Sequence, residues 1–232
     1  MGKHIWMEEY VWLPHVDKNM GSSMQLLATQ PPPVGKTLVM VPDHAMTLDC
    51  VPEGAESAIW LRDPEKRAIS SFWYLRGLNW GLPQDDEKAR QLSMAFQTPD
   101  DFYSCIADRA KNTHFLAAEL LQGLVRRRRG LGGDCSTPHT INSTQSWYFG
   151  RQACNPTFVG IVDSIDRDWA RFLRFMQWPD ETTLPHANAS VSSNASRKPL
   201  GKAASSYIRH RYACDYELLE QFDPATNQLR KR

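Results

Sequence analysis

The sequence predicts an α/β fold built on a buried parallel sheet, and three observations carry that prediction. Four short runs, 10–13, 37–41, 58–61 and 157–162, are apolar, rich in β-formers and bounded by turn residues. Strands covered on both faces read as continuous apolar runs, whereas half-solvated strands alternate. Helical patterns separate and follow these runs, at 22–29, 64–76, 85–96, 100–125, 165–176 and 203–222. Alternating strand and helix gives βαβ units, hence helices flanking a parallel sheet. A chain of 232 residues fits one domain over 1–232 and is short for two.

The junctions have their own signals. Residues 29–36 contain Pro31-Pro32-Pro33 and link the first helix to the second strand. Arg126-Arg127-Arg128-Arg129 follows a helical pattern and precedes the turn signal Gly130-Leu131-Gly132-Gly133. That placement predicts a solvated helix C-terminus, where cations are favoured; a patch for an anionic substrate is the alternative. Residues 180–202 are rich in Ser, Asn, Ala and Pro and predict a flexible loop. Its basic end, Arg197, Lys198 and Lys202, also fits a flap closing over a bound anion.

Composition bounds the function classes. Hydrophobic residues are 41% and charged residues 23%, as in a soluble globular protein. The net charge of +1 gives no global argument for nucleic acid or an anionic membrane. No run approaches the length of a spanning helix, and residues 1–9 lack the basic-then-apolar pattern of a signal peptide. The cysteines, Cys50, Cys105, Cys135, Cys154 and Cys214, include no C-x-x-C, so neither a zinc site nor another metal is expected. Sequons at Asn142, Asn188 and Asn194 matter only in a secretory compartment. The eight Trp fit large core residues or the lining of a site.

Two strand–helix junctions suit anions. After the first strand comes Val16-Asp17-Lys18-Asn19-Met20-Gly21-Ser22-Ser23-Met24. A helix N-terminus offers unpaired N–H groups and partial positive charge. Gly21 permits close backbone approach, Ser22 and Ser23 add hydroxyls, and Lys18 adds a full charge. The spacing is not Walker A, where Lys follows the second Gly. Ser22 as a simple N-cap is the plainer alternative. The third strand runs into Arg62-Asp63-Pro64-Glu65-Lys66-Arg67-Ala68-Ile69-Ser70. Asp63 is a good N-cap and Pro64 suits N1, which leaves Arg62 at the strand's carboxyl end, where α/β sheets bind ligands. Ser70 lies two turns further on. The plainer alternative is a capped helix with Arg67 in a surface ion pair. Together the junctions fit a ligand with two separated anionic groups.

Lys18-Asn19-Met20-Gly21-Ser22-Ser23 resembles the 5'-phosphosulfate loop of sulfotransferases that use 3'-phosphoadenosine 5'-phosphosulfate (PAPS). Arg62-Asp63-Pro64-x-x-Arg67-x-x-Ser70 resembles their 3'-phosphate motif. The likeness is closest to the carbohydrate branch, the uronyl 2-O-sulfotransferases. Ser71-Phe72-Trp73-Tyr74-Leu75-Arg76-Gly77, Phe102-Tyr103-Ser104-Cys105-Ile106, Gln145-Ser146-Trp147-Tyr148-Phe149-Gly150 and Phe158-Val159-Gly160-Ile161-Val162 follow in matching order. The resemblance implies a three-layer, P-loop-like sulfotransferase fold and transfer of the sulfuryl group of PAPS to a carbohydrate hydroxyl, with PAP as the other product. It makes Lys18 the cation at the leaving oxygen and His44 the base. Asn19, Gly21, Ser22, Ser23, Met24, Arg62, Ser70, Arg197 and Lys198 would bind the nucleotide. His15, Trp73 and Arg76 would contact the acceptor. A small alcohol or phenol as acceptor is one alternative; a nucleotide-binding or phosphoryl-transfer protein is another. The chain as it stands reads as cytoplasmic, or as lumenal in the Golgi if an N-terminal anchor has been removed.

Overall fold

A computed structural model describes residues 9–16, 19–30, 34–41, 46–77, 91, 94–108, 110, 117, 126–129, 134–137, 144–150, 156–185 and 198–222. They group into two compact units. The first takes in Met1–Arg62, Thr144–Asn188 and Glu217–Arg232; the second takes in Asp63–Ser143 and Ala189–Tyr216.

The first unit is α/β. Its sheet holds β1 (Tyr10–Pro14), β2 (Thr37–Val41), β3 (Glu56–Leu61) and β6 (Phe158–Ile161), all parallel, in the order β2-β1-β3-β6. Helices α1 (Gly21–Thr29) and α4 (Ile165–Met176) follow β1 and β6. Alternation of side chains along each strand divides the core. Val11, Leu13, Ala58, Trp60 and Phe158 pack with Met24 and Leu27 of α1 and Phe172, Leu173 and Met176 of α4. Ile59, Leu61 and Val159 pack with Tyr148, Phe149, Leu218 and Phe222. Both faces of β3 and β6 are therefore covered, which is why these strands read as unbroken apolar runs.

Trp60 sets the packing on the first face. Its ring meets Phe158 at 5.8 Å and Phe172 at 5.6 Å between centroids. Gly160 stands opposite Trp60 in the register, and a Cβ there would overlap the indole. At the end of β6 the carboxylate of Asp168, fully buried, accepts the Ile161 N–H at 2.8 Å. Arg167 and Arg171 also donate to it, at 2.8 and 3.4 Å. The buried charge is thus neutralised while it ties α4 to its strand.

The second unit packs α2 (Pro64–Gly77), α3 (Pro99–Ala107) and α5 (Lys202–Arg211) around Phe72, Phe102, Tyr103, Ala204 and Ile208. As expected, Asp63 caps α2, its Oδ1 accepting the Lys66 N–H at 2.9 Å. Thr98 and Asp101 form a reciprocal capping box on α3, at 3.0 and 3.1 Å, with Pro99 at N1.

Three expectations are corrected. Helix α3 ends at Ala107, inside the single helix expected over 100–125; Ala117 is helical again, and the other residues of 111–125 lie outside the described residues. Asp108 turns its carboxylate onto the Ala110 N–H at 3.0 Å, a local bond that competes with helical hydrogen bonding. Arg126–Arg129 is not a helix end but strand β4, paired antiparallel with β5 (Asp134–Thr137). The ladder runs from Arg126↔Thr137 to Arg129↔Asp134, so cross-strand pairing and not a helix C-terminus accounts for the run. The pattern over 203–222 is two helices, α5 and α6 (Ala213–Gln221), separated at Tyr212.

Arg67 departs from its surface reading as well. It is 2% exposed and faces the fully buried Asp215, Nη1 to Oδ2 at 3.9 Å. Burial raises the pKa of the neighbouring Tyr103 hydroxyl well above its usual value, and Tyr212 and Tyr207 reinforce the shift while Arg67 opposes it. Burial likewise pushes Tyr212 up to about 12, against the opposing pull of Arg67 and Arg211. Tyr216 reaches about 12 through burial and then the negative charge of Asp63 and Glu65. Tyr207 is raised by burial.

An alkaline limit to stability follows. Below pH ~10 folded and unfolded chains both keep these phenolic protons. As pH rises past 10 the unfolded chain releases them first, so the folded state binds more protons and its stability falls. The loss is expected between about pH 10 and 12, in step with Tyr212 and Tyr216. Tyrosinate absorbance should lag in the folded protein and appear with unfolding, and Tyr212→Phe should flatten the slope. Ordinary titration of all tyrosines in folded protein would refute it.

Candidate functional site

Order β2-β1-β3-β6 places a topological switch point between β1 and β3, because the chain leaves β1 to one side for β2 and then crosses from β2 to the other side of β1 for β3. Ligands of open α/β sheets bind beyond the strands' carboxyl ends at such a point. The β1–β3 ladder covers Val11↔Glu56 and Trp12↔Ser57, whereas β1 pairs β2 as far as Pro14↔Val41. Both anion-suited junctions therefore start here: the β1–α1 turn from β1, and Arg62 from β3.

Described residues on both sides of the β1–α1 turn are hydrogen-bonded through the backbone. Val16 N–H donates to the Pro14 carbonyl at 3.0 Å, and Asn19 N–H to that of Val16 at 3.3 Å. The N-cap of α1 is Met20 in the left-handed conformation (φ 67°, ψ 8°), with no side-chain cap and no acidic residue in the first turn. Ser22 is therefore not the N-cap. The first intrahelical bond runs from Met24 N–H to Met20 O at 3.0 Å. Gly21, Ser22 and Ser23 supply the helix's orphan first-turn donors, and a left-handed residue before a helix points successive N–H groups to one side. Ser23 is buried, and Met24 places its side chain in the core.

A buried amide network joins this turn to β3. Gln145, with no exposure, accepts the Arg62 N–H at 2.7 Å and donates to the Arg62 carbonyl at 2.7 Å. It thus occupies both backbone groups of Arg62 just after β3 ends. Its Oε1 also accepts from Asn19 Nδ2 at 2.5 Å, and Asn19 donates to the Trp60 carbonyl at 2.8 Å. Since Gln145 Oε1 must accept from Arg62, the orientation of both amides is determined. Asn19 Oδ1, also buried, has no hydrogen-bond partner among the described residues. The sequence marks Gln145 only as the head of the run Gln145–Gly150, and nothing local makes it a partner of Arg62.

The remaining expected site residues divide as follows. His15 is buried at the end of β1, in the first unit. Ser70 and Trp73 lie half-buried on α2, in the second unit, where Trp73 packs edge-on against Phe72 at 5.3 Å. The backbone of Arg76 belongs to α2, and Lys198 is exposed ahead of α5. Lys18, His44 and Arg197 lie outside the described residues. Among the described residues no group of His, Cys, Asp and Glu could hold a metal, and no helix is long and apolar enough to cross a membrane.

No family model, curated protein or solved structure matches the chain.

Proposed function

We propose that the chain is a PAPS-dependent sulfotransferase of three-layer, P-loop-like fold acting on a carbohydrate hydroxyl. The observation that carries the reading is the convergence at the switch point. The uncapped N-terminus of α1 and Arg62 stand at the carboxyl ends of adjacent parallel strands, held by one network. Such a pair of anchors suits a nucleotide with two separated anionic groups.

In this reading the first-turn N–H groups of Gly21, Ser22 and Ser23 hold the 5'-phosphosulfate. Arg62 and Ser70 hold the 3'-phosphate, with Arg197 or Lys198 as further cations. His44 takes the proton of the acceptor hydroxyl as its oxygen bonds to sulfur. Lys18 stabilises the charge that forms on the phosphate oxygen as its bond to sulfur breaks. PAP and a sulfate ester result. His15, Trp73 and Arg76 are the proposed acceptor contacts.

Thermal melting tests the nucleotide. A ligand at 100 times its Kd stabilises the folded state by about 2.7 kcal/mol. PAP should raise Tm by several degrees and ATP should not, because Arg62 and Ser70 call for a 3'-phosphate. Stabilisation by ATP alone would replace this reading with a phosphoryl-transfer protein.

A further inference from the structure

We infer that Gln145 is the positioning residue of the nucleotide site: it fixes Arg62 relative to the β1–α1 turn. This rests on the sulfotransferase reading. A side-chain amide that takes both the N–H and the C=O of one residue reproduces the pairing a neighbouring strand would give. Gln145 does this for Arg62, one residue past the end of β3, where the ladder to β6 stops at Leu61↔Ile161. The bond from Asn19 makes it the link between the two arms of the switch point. Its complete burial removes competing water, so the link is rigid.

A structural amide needs only to be satisfied. This one satisfies three groups that belong to the two segments expected to hold opposite ends of one ligand. Its partners are the residue whose guanidinium would meet the 3'-phosphate and the turn that would hold the 5' end. Sites work when their contacting residues are held to within about 0.5 Å by such supports. Arg62 can vary its side-chain rotamer, but with its backbone clamped the base of the side chain is set.

The consequence is a specific defect. Gln145→Glu keeps the acceptor for Arg62 N–H and Asn19 but loses the donor to the Arg62 carbonyl, leaving two acceptors face to face. Gln145→Met keeps the length of the side chain and removes all three bonds. The experiment measures affinity for PAP and for 5'-AMP by calorimetry on wild type and both variants, each first shown folded by its melting transition. Expected is a wild-type preference for PAP that falls about tenfold or more in a folded variant, with 5'-AMP affinity changed by no more than about twofold. General loosening would instead weaken both ligands alike. An unchanged preference in either folded variant, or a parallel loss of both ligands, overturns the role of Gln145 and leaves the nucleotide reading intact. A wild type that binds 5'-AMP as tightly as PAP overturns both.

Discussion

Asp215→Ala is expected to cost about 3–5 kcal/mol of stability and to lower Tm by on the order of 10 °C. The reason is the partner left behind. Arg67 is 2% exposed and Asp215 not at all, so removing the carboxylate takes a buried negative charge away from a guanidinium held in the interior. The surrounding Tyr103 and Tyr212 are fully buried and hold their phenolic protons tightly, so neither supplies compensating negative charge near neutral pH. The pair itself need not be strongly stabilising, since desolvating two ions offsets much of their attraction. The double change Arg67→Met with Asp215→Leu should therefore recover most of the loss. Urea denaturation of the three variants checks this. A single-variant loss below about 1 kcal/mol, or a double variant worse than Asp215→Ala, would show that the pair carries no such penalty.

The same residue shows how far the sequence can be read. Arg67 lies on the helix that Asp63 and Pro64 announce, and the helix forms where those signals place it. Nothing local says that Asp215, far along the chain, turns this exposed-looking cation into a core residue. Strands were legible because burial on both faces leaves an unbroken apolar run. Their order, which creates the switch point, was not, since it depends on pairings between β1, β3 and β6. Helix α3 was overextended because apolar periodicity continues past Asp108, while one side-chain bond to Ala110 ends the helix there. The tetra-arginine run has the composition of a helix end, yet pairing with Asp134–Thr137 makes it a strand. In the candidate site, the strand-to-helix placement of the β1–α1 turn and of Arg62 was legible from their junctions. Gln145 was not, because its partners lie 83 and 126 residues away.

Lys18→Ala is expected to lower kcat by about 10²–10³-fold, the range seen when a donor at a developing oxyanion is removed. Affinity for PAP should fall much less, by about tenfold. The asymmetry comes from what remains. The N–H donors of Gly21, Ser22 and Ser23 belong to the backbone of α1, whose N-cap is set by Met20, and Arg62 stays clamped by Gln145. In the proposed reading these groups hold the ground-state phosphates without Lys18. The N–H donors carry only partial charge and Arg62 serves the 3'-phosphate, so neither meets the negative charge that appears as the sulfur–oxygen bond breaks, and the loss concentrates in the transition state. Lys18→Arg should recover binding more than rate, because a planar guanidinium spreads its charge and cannot replace a compact ammonium at one oxygen. Radiolabelled PAPS with a uronic-acid oligosaccharide, and separately with a small phenol, supplies the rates, and calorimetry with PAP supplies the affinities. A kcat within about threefold of wild type would remove Lys18 from the chemistry, and an equal fall in kcat and affinity would reduce it to a binding residue.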